Sequence, residues 1–245
     1  MKKTLFALAL VLLCVSGWTQ DEVEPKVPHI TVKWAPTGLM LGSLSLQAEY
    51  NFGSRNSLTA KVGLPVNVKH SFDYDNEKLG FNLKATSFLT GYRTYFSKTK
   101  HLRGLYFEPF FKYINHTSEG SGTLTLGYRP ALFNFTNNYS GAGVGIQLGT
   151  QFFIGKRLVI DLFFLGPEIN SASNTFKAVE ITNTRPWTDI DARQAENTIR
   201  DFLNEFPVIR NKTTVMVDKD MKRVRAAFKG ALPGVRTGFA LGIAF

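Results

Sequence analysis

The sequence predicts an all-β fold: an eight-stranded antiparallel up-and-down transmembrane β-barrel, with a mixed helix and hairpin insertion between its seventh and eighth strands. Three observations predict it. Residues 234–245 alternate strictly, Val235, Thr237, Phe239, Leu241, Ile243 and Phe245 on one face and Arg236, Gly238, Ala240, Gly242 and Ala244 on the other, the period of two that a strand imposes. Earlier segments repeat the pattern with polar faces dominated by Gly, Ala, Ser and Gln, residues that suit a crowded lumen better than a water-facing exterior. Short connections at 53–56, 97–103 and 155–157 alternate with long ones, the asymmetry of a barrel with one plain and one elaborated rim.

At 245 residues, 44% hydrophobic and 13% aromatic, the chain has the apolar material for an ordered structure. Beyond the first twenty residues no run of about 18 uncharged apolar residues occurs, which excludes helical spans. Residues 1–19 read as a signal peptide, with Lys2 and Lys3, an apolar run over 5–15 and small residues before Gln20. Its removal lowers the net charge from +10 to 10 − 2 = +8 and takes Cys14, the only cysteine, so no disulfide framework is expected. Bulky Leu13 before Cys14 argues against a lipoprotein signal. The Lys and Arg residues are scattered and form no nucleic-acid footprint; basic loops facing anionic lipopolysaccharide are the expected use of the charge.

Residues 20–28 read as a periplasmic leader and 29–245 as the barrel. The first strand sets Ile30, Val32 and Trp34 against Thr31 and Lys33, and Pro36, Gly38 and Gly42 break it. The second sets Leu44, Leu46, Ala48, Tyr50 and Phe52 against Ser45, Gln47, Glu49 and Asn51; the third carries Leu58, Ala60, Val62 and Leu64 until Pro65, after which a charged loop is expected to about residue 80. The fourth, 86–96, is ambiguous in parity. An Arg facing lipid costs about 2–4 kcal/mol near the midplane, so Arg93 is placed inside and Phe88, Tyr92 and Phe96 outside. The fifth turns Leu105, Phe107, Pro109, Phe111 and Tyr113 outward and Glu108 and Lys112 inward, with a bulge or distortion expected at Pro109. A polar outer loop is expected over 115–138, its 123–126 stretch lengthening the hairpin. The sixth strand, 141–154, faces Val144, Ile146, Leu148 and Phe152 outward, and the seventh Leu158, Ile160, Leu162 and Phe164. An extracellular cap-like insertion is expected over 167–233. Within it 189–206 reads as a helix, with Asp189 and Asp191 at its start, Ala192, Ala195, Ile199, Phe202 and Phe206 stepping by three and four, and Pro207 at its end; 213–217 and 222–226 read as a hairpin. Ile199, Phe202, Leu203 and Phe206 pack across the barrel mouth or onto that hairpin; the alternative is a helix exposed to a partner. Tyr50, Phe52, Tyr92, Phe96, Phe107, Phe152 and Phe245 fall near the short-turn rim, where rings anchor at headgroups.

The second and third strands, the 155–157 turn with Asp161 after it, and the run from Pro233 to the terminal Phe245 resemble a family of small bacterial outer-membrane barrels of unknown function. The architecture is similar to the OmpA transmembrane domain and to OmpX. The resemblance implies an outer-membrane location in a Gram-negative bacterium, lipid and lipopolysaccharide as surroundings, and a terminal Phe245 that the insertion machinery reads. The sequence departs from OmpA in that no peptidoglycan-binding domain is expected, since it ends on the barrel strand.

Counting back from the short turns places Glu49 opposite Lys61, Arg93 opposite Glu108 and Gln151 opposite Asp161, all facing the lumen. An unpaired buried ion costs several kcal/mol, so these are expected to pair as a polar plug rather than a gated ion path. Two clusters have the residue types of lipid A deacylases or acyltransferases, His116 with Ser118 and Glu119, and His70 with Ser71 and Asp73. Neither carries those families' wider motifs. The four histidines are far apart, so no metal or other cofactor is expected, and the glycines over 141–145 lack the helix of a phosphate loop. The expectation is a non-enzymatic envelope protein, structural or acting on an extracellular ligand or partner through its loops; the alternatives are a lipid A-modifying enzyme and a narrow gated pore.

Overall fold

The sheet closes on itself through the chain's two ends. In a computed structural model, which describes residues 29–245 apart from 54, 75–76, 98–101, 127–128 and 183–184 (for 71–74, 77–79 and 124–125 the backbone only), β1 (Ile30–Ala35) pairs with both β2 (Ser43–Asn51) and β10 (Arg223–Ala244). Between them run β3 (Asn56–Pro65), β5 (Glu77–Tyr95), β6 (Gly104–Leu126), β7 (Arg129–Ile154) and β8 (Leu158–Glu180), every neighbour antiparallel, giving a ring of eight strands. Val32 lies between Ala48 and Ile243, and Phe245 N donates to the Ile30 carbonyl at 2.8 Å while His29 N donates to Phe245 O at 3.0 Å. Closure satisfies the backbone groups that an open edge would leave bare.

The parity expected for the ring strands is the parity observed. Thr31, Lys33, Gln47, Glu49, Thr59, Arg93, Glu108, Gln151 and Asp161 are buried, whereas Ile30, Trp34, Leu58, Tyr92, Leu105, Phe152 and Ile243 are exposed. Small inward residues let the ring narrow. At Gly149 an added Cβ would stand 2.3 Å from the Tyr106 hydroxyl and 2.6 Å from the Leu162 carbonyl oxygen, so only glycine fits.

The strands are unequal: β1 to β3 have 6, 9 and 10 residues, whereas β5 to β8 and β10 have 19 to 26. The ring therefore closes only over the short strands' height. Beyond it the long strands continue, edged by β4 (Val68–Tyr74) on β5 and β9 (Thr213–Asp218) on β10. Three expectations are corrected here. The loop to residue 80 is the β4–β5 hairpin; the outer loop over 115–138 is the upper β6–β7 ladder, paired from His116↔Tyr139 to Leu126↔Arg129; and the insertion is 181–222 rather than 167–233, because β8 runs on to Glu180 and β10 begins at Arg223. From Asn115 to Thr123 β6 is polar or glycine on both faces, so alternation vanishes there while backbone pairing continues. Pro167 and Pro233 lie within β8 and β10 and face outward; each lacks the N–H that a ladder bond would use.

At Pro109 the β5–β6 ladder is interrupted without a change of register, Gly91↔Phe110 resuming at Thr94↔Phe107. The bulge lies in β8 instead. Leu148 pairs with Leu165 but Gly149 with Phe163, and Arg236 with Gly166 but Gly238 with Phe163. Phe164 and Leu165 consequently both face outward, and the inward parity passes to Gly166, Glu168 and Asn170.

Helix α1 (Asp189–Asn204) sits on this upper sheet, followed by the short α2 (Pro207–Arg210). A capping box starts α1: Thr188 Oγ1 accepts from Asp191 N at 3.2 Å, and Asp191 Oδ2 accepts from Thr188 N at 3.0 Å. Ala192 and Ala195 pack with Trp187, Leu126, Ala131, Phe133, Ala178 and Val224, and Ile199 joins from the edge, forming a core separate from the ring. Leu203 is buried too, but Phe202 and Phe206 stay exposed and pack on each other, ring centroids 5.2 Å apart.

Candidate functional site

The ring interior near the short turns holds a dense polar cluster, and the alternation of seven strands brings it there. Lys33 from β1 reaches Glu49 at 2.6 Å, Asp161 at 2.7 Å and the Gln151 amide oxygen at 2.6 Å. Arg93 from β5 holds Glu108 through Nε and Nη2 at 3.0 and 2.8 Å, and turns Nη1 to Asp161 at 2.9 Å, Gln151 at 3.2 Å and Glu49 at 3.3 Å. Its guanidinium lies 3.7 Å from the Tyr106 ring centroid. Hydroxyls complete the carboxylates' shells: Ser57 and Tyr95 donate to Glu49 at 2.6 and 2.7 Å, Tyr106 to Asp161 at 2.6 Å, and Thr59 to Glu108. The Gln147 amide donates to Glu108 at 3.1 Å, and that of Gln151 to the Leu102 carbonyl at 2.8 Å.

Every charged member is at most 1% exposed. Buried ions of this kind are tolerable only when partners replace water on nearly every lone pair and proton. Here each carboxylate accepts from at least one cation and one hydroxyl. The arrangement is a closed cross-brace tying β1, β2, β3, β5, β6, β7 and β8 together.

The three expected cross-strand pairs fare differently. Gln151 lies opposite Asp161 in the β7–β8 register, and Arg93 grips Glu108. Glu49 does not face Lys61: it pairs with Thr59, and Lys61 pairs with Gln47. The β2–β3 turn closes one residue earlier than counted, because Asn51 Oδ1 accepts from Gly53 N at 2.9 Å and Phe52 N donates to Asn56 O. Lys33, Tyr95 and Tyr106 were missed as members. Parity placed Lys33 on the polar face of its strand, but its three partners on β2, β7 and β8 follow from ring closure alone.

Higher up, the candidate chemistry is dispersed. His116 and Ser118 are two apart on the inward face of β6, while Glu119 faces outward opposite Asn82. His70 lies on β4 with Nε2 3.2 Å from the Met40 carbonyl oxygen; the side chains of Ser71 and Asp73 lie outside the described residues. Burial holds the His116 imidazole below its ordinary value. A polar cleft of about 650 Å³ lies against β4 to β7, lined by Lys69, His70, Asn82, Glu119 and Asn134. Among the described residues no three His, Cys, Asp or Glu side chains are grouped to hold a metal ion.

Glu180 anchors the head. It accepts from Arg129 Nη1 at 2.6 Å, from Nη2 at 3.1 Å and from the Trp187 indole. Burial, the largest influence, works against its ionisation, yet the Arg129 and Trp187 hydrogen bonds outweigh it and hold the carboxyl below its ordinary value.

The residues 1–28 read as signal peptide and leader lie outside the described residues. No protein-family model matches the chain, and no curated protein does either.

Proposed function

We propose that this chain is a non-enzymatic integral β-barrel of a Gram-negative outer membrane, related to the small barrels that the sequence resembles, which braces the envelope and presents a structured head to surface ligands. One observation carries the reading: the ring is inside out. Its buried face is ionic and amide-rich, and its exposed face is a belt of Ile30, Trp34, Tyr50, Leu58, Val62, Leu64, Phe88, Tyr92, Leu105, Phe111, Val144, Ile146, Phe152, Leu162, Ile169, Val235, Leu241 and Ile243. Soluble monomers rarely expose contiguous apolar patches beyond a few hundred Å², and this belt surrounds the ring. On β6 it runs from Leu105 to Tyr113 and stops at Asn115. Nine residues tilted near 45° at about 3.3 Å each rise roughly 20 Å, close to the apolar band of outer-membrane barrels. Tyr50, Phe52, Phe96, Phe152 and Phe245 stand exposed at its short-turn margin, as interfacial rings do.

The head role is supported by what lies beyond the belt. About a dozen residues of β6, 115–126, roughly 40 Å of strand, rise past Tyr113 with a core of their own. The plug of mutually satisfied charges favours a brace over a conducting path.

Gel mobility of the extracted protein, boiled against unboiled, tests the barrel. The expected result is a faster unboiled band that fractionates with the outer membrane. A single mobility, with the protein in the soluble periplasm, would overturn the reading and leave the belt to be covered by another protein.

A further inference from the structure

The brace does not use every ion inside the ring. Above it, Lys61 of β3 and Arg236 of β10 both point inward and meet over one aromatic ring: Lys61 Nζ lies 5.7 Å from the Phe163 centroid and Arg236 Cζ 4.7 Å, with the Phe110 centroid 5.5 Å from the same guanidinium. Neither cation has a hydrogen bond or ion pair among the described residues, and Arg236 Nη1 is buried with no partner. Of the nearby carboxylates, Glu49, Glu108 and Asp161 are held by Lys33 and Arg93, and Glu168 by Lys112 through Oε1, its Oε2 being buried without a partner. Counting inward charges from the brace up to Glu168 gives five cations (Lys33, Lys61, Arg93, Lys112, Arg236) against four carboxylates, 5 − 4 = +1.

Both like charges are drawn to the Phe163 ring by cation–π attraction, while their mutual repulsion grows as water is excluded. A buried guanidinium N–H left bare carries its whole desolvation cost. One negative charge placed between them would answer all three deficits: it balances the interior, relieves the repulsion and accepts from Arg236 Nη1. The planar fork of a guanidinium matches oxygen pairs on one acid group, with an ammonium beside it as a point charge.

We propose that Lys61 and Arg236, over Phe163, form a binding site for a small oxyanion inside the ring. The site is independent of the membrane location, since it rests on the interior alone, and it is separate from the brace below it. Occupied, it links β3 to β10, two strands that the brace does not join directly.

The test is the thermal unfolding midpoint of the purified, folded protein as inorganic phosphate replaces a bulky sulfonate at constant ionic strength and pH. The wild-type midpoint is expected to climb with the logarithm of phosphate above its dissociation constant. Lys61→Met should start higher in the absence of phosphate, its interior charge now balanced, and should stay flat. A wild-type midpoint indifferent to phosphate would overturn the site and leave Lys61 to be accommodated as a neutral amine. Parallel rises in both proteins would overturn it too, since phosphate would then be acting by exclusion from the surface. Should Lys61→Met fail to fold, the phosphorus-31 linewidth of phosphate with the wild type decides. Broadening that excess acetate reverses supports the site, and an unbroadened line rejects it.

Discussion

At the scale of single residues, Arg93 shows how a polar interior can stabilise a ring. One guanidinium serves Glu108, Asp161, Glu49 and Gln151 while its face rests on Tyr106, a geometry that a lysine's point charge lacks. Removing one partner of a buried ion pair costs about 3–5 kcal/mol, because the other is left uncompensated. Glu49→Ala strips Lys33 and Arg93 of one carboxylate and orphans the Ser57 and Tyr95 hydroxyls. It is expected to lower the unfolding free energy in detergent by an amount of that order, read as an earlier midpoint; an unchanged midpoint would show that the brace contributes nothing. Gly149→Ala attacks the same cluster from the backbone. Its Cβ would crowd the Tyr106 hydroxyl that Asp161 accepts from and the Leu162 carbonyl oxygen, so the expected outcome is a lower unfolding midpoint; an unchanged midpoint would show that the ring can widen there without cost.

At the scale of elements, the head is stabilised differently from the ring, by an apolar core and one buried carboxylate. Thr188→Ala removes half of the capping box of α1 and is expected to cost about 1 kcal/mol, read as faster proteolysis of 181–222 with the ring intact. Glu180 gives the head a pH dependence whose sign is set by its lowered pKa. Its contribution is whole above the ordinary carboxylate value of 4.5 and is lost as pH falls below that and through the folded-state value. Trp187, which donates to Glu180, reports the change. Its fluorescence is expected to shift on acidification below pH 4.5 in the wild type, whereas Glu180→Gln should show no such acid transition; identical acid profiles would place the transition elsewhere.

At the scale of the whole molecule, ring and head are two cores on one sheet, joined only by the continuing strands. Because Arg223 pairs with Val179 and Glu180 N donates to Lys222 O across the base of the insertion, a two-residue Asn-Gly turn in place of 181–221 can close β8 onto β10 in register. The shortened chain is expected to keep the heat-dependent gel shift, since all eight ring strands and the brace remain. Loss of the shift would mean that the head is needed to close the ring, and the two-core description would fail.

How much of this could be read beforehand depends on which physical signal each part leaves in the chain. Wherever one face of a strand is apolar and exposed and the other lines a packed polar interior, the alternation is written residue by residue. The eight ring strands, the inward placing of Arg93 and the helix beginning at Asp189 were therefore legible from sequence alone. The upper part of β6 was not, because from Asn115 to Thr123 it is polar or glycine on both faces and its pairing is made by backbone groups that every residue carries. Register was the other hidden quantity. A turn centred one residue earlier moved Glu49 from Lys61 to Thr59, and a single extra residue at Phe164 exchanged the faces of everything above it in β8. The sequence by itself determined which residues turn inward near the short turns. Only the tertiary structure decided which of them meet, since Lys33 reaches Asp161 across 128 positions of chain and that distance closes only when β1 pairs with β10.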